Sequence, residues 1–340
     1  MSVRIINADV FEGLAMLEDE SVQCCVTSPP YWGLRCYGVE GQLGLEPTLS
    51  EHIDKMVAVF AEVHRVLRKD GTLWLNYGDC YASSVNGRSA ADTKAAGKDD
   101  RTFRDKPFST VGGVLKAKDL CMVPNRLAIA LQEFGWYVRS EIVWFKPNPM
   151  PESIKDRPTS SHEKIWLLSK SQRYQYDAEA VREDISVPDD RLPHGRMRNR
   201  RTNSNGSGWN GSSFTSAQDI ATKPNLGMGP RKERPGRNMR NVWEIATQAY
   251  PDAHFATFPM ALAERCIKAG CPAGGTVLDC FGGAGTTGLV ADKLGRSAVL
   301  IELNPEYAAM AEKRIYTSAP LFAEVETSDT KQMDLLGSDS

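Results

Sequence analysis

Long apolar runs are missing from this chain. No stretch approaches the roughly 20 consecutive apolar residues that a membrane span needs. The opening residues, MSVRIINADV, lack the basic-then-apolar layout of a secretion signal. Cysteine is sparse: 8 among 340 residues, two of them adjacent (Cys24 and Cys25), with no CxxC pair. That pattern excludes a disulfide framework and a zinc ribbon. Cys266 and Cys271 stand near each other without further ligands, so no metal site is expected. Reduced, buried thiols and no membrane segment point to a cytoplasmic protein. Aromatic residues make up only 8% and charged residues 25%, against 41% hydrophobic. This is an ordinary globular composition, with room for one large domain or two smaller ones.

A strong net charge is also missing. The formal value is -2, which argues against a uniformly basic, nucleic-acid-coating protein. The average hides an asymmetry, however. Residues 191–240 hold cations at Arg191, Arg196, Arg198, Arg200, Arg201, Lys223, Arg231, Lys232, Arg234, Arg237 and Arg240, against only Asp219 and Glu233. Most are arginine, the side chain suited to bidentate contact with phosphate and guanine. The stretch is rich in Gly, Asn and Ser and carries Trp209 and Phe214. Such a segment reads either as a solvated loop or as a nucleic-acid-contacting element that orders on binding.

Strand and helix patterns alternate along the rest of the chain. Strands are expected at Val3–Ile6, Val22–Val26, Thr72–Asn76, Tyr137–Lys146, Lys164–Ser169, Thr276–Phe281 and Ala298–Glu302. Helices are expected at 11–19, Ser50–Arg68, Val123–Phe134, Phe258–Ala269, 286–294 and Pro305–Ile315. In the second helix, Ile53, Val57, Phe60, Ala61, His64 and Leu67 form the apolar stripe, and Lys69-Asp70-Gly71 stops it. The alternation predicts an α/β fold with a mainly parallel sheet. Residues 83–118 read as a mobile loop, and 317–340 as a disordered acidic tail.

The segment TVLDCFGGAGTTGLVADKLG reads as strand, tight turn and helix. Gly283-Ala284-Gly285-Thr286-Thr287-Gly288 fits GxGxxG, and Glu302 follows at the end of the next strand. Glycines let a backbone approach a ligand, and an acid in that place can accept both ribose hydroxyls. A nucleoside cofactor is therefore expected. Asp279, just ahead of the glycines, chooses between two kinds. A dinucleotide pyrophosphate would be repelled by it in a poorly screened site. The ammonium and sulfonium of S-adenosyl-L-methionine would be attracted.

The hexapeptide Thr27-Ser28-Pro29-Pro30-Tyr31-Trp32 ends a strand, because two prolines cannot continue a ladder. Its chemistry suits transfer to an exocyclic amine, whose lone pair is delocalised into a heterocycle. The Ser28 hydroxyl and the Pro29 carbonyl can accept the amine N–H bonds. Pro30 stiffens the backbone, and Tyr31, with Trp32, offers a face on which an extruded base stacks.

TSPPYW followed far downstream by DCFGGAGTTG resembles the amino-methylating DNA methyltransferases. The order resembles the class in which the catalytic motif precedes the cofactor motif. Asn7-Ala8-Asp9, Asn76-Tyr77-Gly78-Asp79, Trp144–Pro149 with His162-Glu163, and His254–Pro259 are similar to further motifs of that family. The resemblance implies a Rossmann-like methyltransferase fold, a seven-stranded sheet with circularly permuted motif order. Ser28, Pro29, Pro30 and Tyr31 would be catalytic. The donor would sit against Asp9, Thr257, Asp279, Phe281, Gly282 and Gly283. Gly285, Thr286, Thr287, Glu302 and Asn304 complete that set. Residues 1–182 and 241–316 would form the catalytic domain and 183–240 an inserted target-recognition segment. Arg196, Arg198, Arg200, Arg201, Arg231, Lys232, Arg234 and Arg237 would contact double-stranded DNA. The turn departs from the family in having Cys280 after the aspartate and Gly283-Ala284 between the outer glycines. Ser at the first catalytic position is commoner in cytosine-N4 enzymes, whereas many adenine-N6 enzymes have Asp. A companion restriction endonuclease is a partner the resemblance allows. Two other expectations compete: a nicotinamide-dependent oxidoreductase explains the glycines but not TSPPYW, and a non-catalytic DNA-binding scaffold does not need Ser28 and Glu302. Methylation of RNA or protein uses the same chemistry on another acceptor.

Overall fold

The computed structural model describes residues 2–36, 38–84, 108–183, 236–248, 259–318 and 324–329. The chain divides into two compact units, Met1–Val181 with Arg240–Ser340, and Arg182–Met239. In the smaller unit, Glu183 and Arg237 form a short antiparallel bridge and an ion pair at 2.8 Å.

The larger unit is built on a nine-stranded sheet, not the seven-stranded one that the family pattern suggests. In chain order its elements are β1 (Ser2–Asn7), α1 (Val10–Ala15), β2 (Val22–Thr27), α2 (Leu49–Val66), β3 (Leu67–Tyr77), α3 (Val123–Phe134), β4 (Tyr137–Phe145) and β5 (His162–Ser169). There follow β6 (Val242–Glu244), α4 (Met260–Gly270), β7 (Thr276–Asp279), α5 (Thr286–Lys293), β8 (Ser297–Glu302), α6 (Pro305–Ser318) and β9 (Glu324–Asp329). The strand order is β6-β4-β5-β3-β2-β7-β8-β1-β9. Among these strands only β5 runs antiparallel to its neighbours, β3 and β4.

The topology decides what meets what. β2, early in the chain, lies between β3 and β7, with Cys24 paired to Val277 and Cys25 to Leu278. β1 lies on the far side of β8, with Asn7 opposite Glu302. Parallel strands end on the same edge of a sheet, and in open α/β folds ligands bind outside the carboxyl ends. The ends of β2, β7, β8 and β1 are therefore brought together although they are far apart in sequence. Every residue of β2 is buried, as expected for a central parallel strand covered on both faces.

Local structure corrects several expectations. α2 opens with a capping box between Thr48 and Glu51 and buries His52, Met56, Val59, Phe60, Val63 and Val66. The buried face is thus rotated from the expected stripe, because His52 is a core residue and His64 lies at the rim. α2 ends at Val66, and 68–71 form a bulge inside β3 rather than a helix stop, since β2 pairs Val22 with Leu67 but Cys24 with Thr72. α1 starts one residue earlier than expected, where Asp9 caps it by accepting the Phe11 N–H at 2.8 Å, and ends sooner, at Ala15. Within 83–118, residues 108–118 are fastened: the Thr110 N–H reaches the Ser83 carbonyl at 3.1 Å, and the Lys118 N–H reaches the Ala82 carbonyl at 2.8 Å. Residues 324–329, expected in a disordered tail, form edge strand β9 along all of β1. Its pairing satisfies the backbone groups that the open edge of β1 would otherwise present to water. Among the described residues no helix is long and apolar enough to cross a membrane, no cluster of acids, histidines and cysteines could hold a metal, and the cysteines are free.

Candidate active site

The two sequence-distant motifs meet at the carboxyl ends of β2 and β7. Thr27 ends β2, and its hydroxyl donates to Asp279 Oδ1 at 2.7 Å across 252 residues of sequence. Thr287, in the first turn of α5, donates to the other carboxylate oxygen at 2.6 Å and lies 3.4 Å from the Val26 carbonyl. The Phe281 N–H adds a third bond to Asp279 at 3.1 Å. Asp279 is only 1% exposed. Burial pushes its carboxyl up to about 7, against the pull of the Thr27 and Thr287 hydroxyls. The aspartate is therefore the pin that joins the two halves, just ahead of the glycine turn.

The turn itself is shaped by packing. Gly283 and Gly285 have φ of +50° and +74°, a region costly for other residues. A Cβ on Gly285 would stand 2.8 Å from that of Ala311 in α6. The Gly283 N–H reaches Glu302 Oε2 at 2.7 Å, and the Asn304 N–H reaches Oε1 at 2.8 Å. Burial pushes the Glu302 carboxyl up, while these N–H groups pull it down. The two oxygens keep acceptor capacity beyond these backbone bonds, which suits a pair of vicinal hydroxyls. Asn7 Nδ2 donates to the Glu302 carbonyl at 2.8 Å, so the 7–9 segment and Glu302 share one edge. Asn304 is 9% exposed and caps α6 by accepting the Glu306 N–H at 2.9 Å. Thr286 accepts from Arg314 at 3.0 Å and is buried.

On the β2 side, Ser28 follows Thr27 and is half-buried. Its Oγ lies 3.3 Å from Asn76 Nδ2. The same Nδ2 lies 3.1 Å from the Tyr31 hydroxyl and 3.1 Å from Glu163 Oε2. The Tyr31 hydroxyl donates to Glu163 Oε2 at 2.8 Å. Lys146 pairs with the other carboxylate oxygen of Glu163 and lies 4.4 Å above the Trp144 ring. Burial and the Glu163 charge both push the Tyr31 phenol well up, so it stays a neutral donor. Gly78 makes room for this cluster: a Cβ there would stand 2.6 Å from Tyr31 Cε2 and 3.2 Å from Glu163 Cδ.

Lys146 and Glu163 fall within the segments that resemble family motifs, Trp144–Pro149 and His162-Glu163. The structure bonds Glu163 directly to Tyr31 and Asn76, and Lys146 joins that cluster through Glu163. Their pairing with each other and with Tyr31 carries no local signal, since β5 supplies one and the end of β4 leads to the other. Asp79 caps α3 from outside, accepting the Val123 N–H at 3.2 Å. Thr257 and Arg196, Arg198, Arg200, Arg201, Arg231, Lys232 and Arg234 lie outside the described residues. Arg237 is described and is taken up by Glu183.

A family profile described as DNA methylase matches residues 22–313. The chain belongs to the N6/N4 DNA methylase family. That match spans both halves of the site, and the nicotinamide reading of the glycine turn is set aside. Among curated relatives of this methylase, the type II methyltransferase M.SmaI of Serratia marcescens is 43% identical over 314 residues, which is 92% of this chain and 91% of the relative. Two solved structures share the fold. One is the PvuII DNA methyltransferase (cytosine-N4-specific), with TM-score 0.57, 19% identity and 96% of each chain covered. The other is a putative DNA modification methylase from Thermus thermophilus, complexed with S-adenosyl-L-methionine. Its TM-score is 0.56 and its identity 22%, over 96% of this methylase and 100% of that chain.

Proposed function

We propose that this methylase transfers a methyl group from S-adenosyl-L-methionine to the N4 amine of a cytosine flipped out of duplex DNA. The observation that carries the reading is the Thr27–Asp279 contact. It ties Ser28, the next residue, to the carboxylate that stands just ahead of the glycine turn. The residues fit the donor: Glu302 suits the ribose hydroxyls, Asp279 in its ionised form supplies negative charge beside the turn, and the glycines leave the turn without side chains so that a ligand can approach its backbone. When bound, the donor supplies an electrophilic methyl on a sulfonium.

The chain's residues do the remaining work. Ser28 Oγ and the Pro29 carbonyl accept the amine N–H bonds and localise the nitrogen lone pair. Pro30 restricts the backbone behind that carbonyl. Tyr31, its hydroxyl tied to Glu163 and Asn76, offers a ring for stacking the base. A nitrogen–carbon bond forms as the carbon–sulfur bond breaks, and the amine loses one proton to its hydrogen-bonded surroundings. Base flipping is required, because a paired cytosine cannot present N4 to such a cleft. The basic segment at 191–240 supplies phosphate neutralisation. Ser28 at the first catalytic position, where adenine-specific relatives often carry Asp, supports cytosine as the target.

Mass spectrometry of nucleosides from duplex DNA incubated with the methylase and donor tests this. N4-methylcytosine is expected. N6-methyladenine would move the target to adenine with the mechanism intact, and no methylated nucleoside would refute the reading.

A further inference from the structure

One buried polar cluster beside the site has no task in the scheme above. Glu46, His52 and Tyr77 are 3%, 0% and 0% exposed. They form a line. His52 Nδ1 lies 2.8 Å from Glu46 Oε2, and His52 Nε2 lies 2.7 Å from the Tyr77 hydroxyl. The line ends on the backbone of the catalytic turn. The Tyr77 hydroxyl lies 3.2 Å from the Pro30 carbonyl and accepts the Trp32 N–H at 3.1 Å. Those two groups flank Tyr31, and the Tyr77 ring stacks on the Tyr31 ring at 4.8 Å between centroids. Glu46 grips the other side of the turn. Its carbonyl accepts the Trp32 indole N–H at 2.9 Å, and its Oε2 accepts the Gly44 N–H at 2.9 Å. Gly44 in turn accepts the Gly33 N–H at 2.8 Å.

A count of partners explains why the line needs all three members. The phenol of Tyr77 has one proton and three neighbours. Trp32 N–H is a donor and occupies a lone pair, while the Pro30 carbonyl can only accept. Each His52 ring nitrogen has one partner, Glu46 Oε2 on one side and the Tyr77 hydroxyl on the other, so removing any member leaves a buried neighbour short of a bond. The Lys55 ammonium lies 3.6 Å from the other Glu46 oxygen. Burial pushes the Glu46 carboxyl up, but the His52 hydrogen bond and the nearby cations hold it below its ordinary value. Buried polar groups of this kind cost desolvation that an apolar core would avoid. Here every bond in the line leads to a backbone group on one side or the other of Tyr31.

We propose that Glu46, His52 and Tyr77 are positioning residues that fix the peptides on either side of Tyr31, and so aim Ser28 and Tyr31 at the target base. The inference rests on the reading of residues 28–31 as the amine-methylating turn. The test uses the full chain with duplex DNA, measuring kcat, KM for DNA and donor Kd by calorimetry. Tyr77→Phe keeps the ring and removes only the hydroxyl. A loss of about 10- to 100-fold in kcat is expected, the scale of a misplacement near 1 Å, with donor Kd unchanged. His52→Leu is expected to match it. His52→Gln, whose amide can hydrogen-bond the Tyr77 hydroxyl in place of Nε2, is expected to restore most of the rate. Tyr77→Phe turning over at the wild-type rate would overturn the inference, as would His52→Gln falling as far as His52→Leu. If Tyr77→Phe does not fold, the two His52 variants decide by the same criterion. A wild-type chain that methylates no DNA refutes the functional reading instead, which keeps the two failures distinct.

Discussion

The Thr27 hydroxyl and the Asp279 carboxylate, 2.7 Å apart, tie the catalytic strand to the donor strand. Both groups are buried, Thr27 at 1% and Asp279 at 1% exposure, so neither finds water as a substitute partner. Thr27→Val leaves the carboxylate short of one bond in a poorly hydrated place. A destabilisation of about 1–3 kcal/mol is expected, together with weaker donor binding and slower turnover. Urea unfolding with parallel donor titration checks this. A fall in turnover alone would mean that the hydrogen bond does not organise the donor turn.

Asp279 also sets a pH dependence. Its carboxyl holds a proton up to about 7 in the folded chain because it is buried, whereas an unfolded Asp releases it near ~3.9. The raised value makes its stabilising contribution greatest at low pH, and that contribution is lost as pH rises through about 7. A cationic donor prefers the ionised form. Donor affinity is therefore expected to increase about tenfold between pH 5.5 and 7, below the titration of an ordinary α-amino group. Asp279→Asn should weaken binding and flatten the profile. Calorimetry across that range, with an unchanged slope in the variant, would place the titrating group elsewhere.

Gly78 is a space requirement of the base platform. Gly78→Ala would force its Cβ against Tyr31 and Glu163. Turnover is expected to fall at least about tenfold while donor affinity stays within twofold. A stopped-flow assay with a fluorescent base at the target position reports the step directly: slower stacking is expected, and unaltered stacking would exclude the ring as the platform.

The basic insert predicts a salt signature. Replacing Arg196, Arg198, Arg200 and Arg201 together by Ala should lower DNA affinity and reduce the slope of log K against log salt by about 0.9 for each phosphate that is no longer neutralised. An unchanged slope, measured by anisotropy at several salt concentrations, would put the DNA on another surface.

Much of this architecture was legible in the sequence, for identifiable reasons. α3 runs from Val123 to Phe134 as its apolar period predicts, because Pro124 and Gly135 mark its ends. The glycine turn was readable because backbone conformation constrains residue type locally. His52 was not, since a polar side chain on a helix declares nothing about a phenol contributed by β3. Glu163 stood out in the sequence as part of a motif, but its bonds did not: its partners Tyr31, Asn76 and Lys146 come from separate parts of the chain and meet only through strand order. β9 escaped because a six-residue edge strand draws its stability from pairing with β1 rather than from its own pattern.

The convergence of the two motifs on one reaction is tested most directly by Ser28→Ala in two assays run side by side. Calorimetry should give a donor Kd equal to that of the unaltered chain, since Ser28 lies outside the bonds that hold Asp279 and Glu302. Single-turnover transfer of labelled methyl to duplex DNA should be reduced by about two orders of magnitude or more, in the range of losing a positioned group at the reacting centre. Labelled transfer at the normal rate would contradict the account.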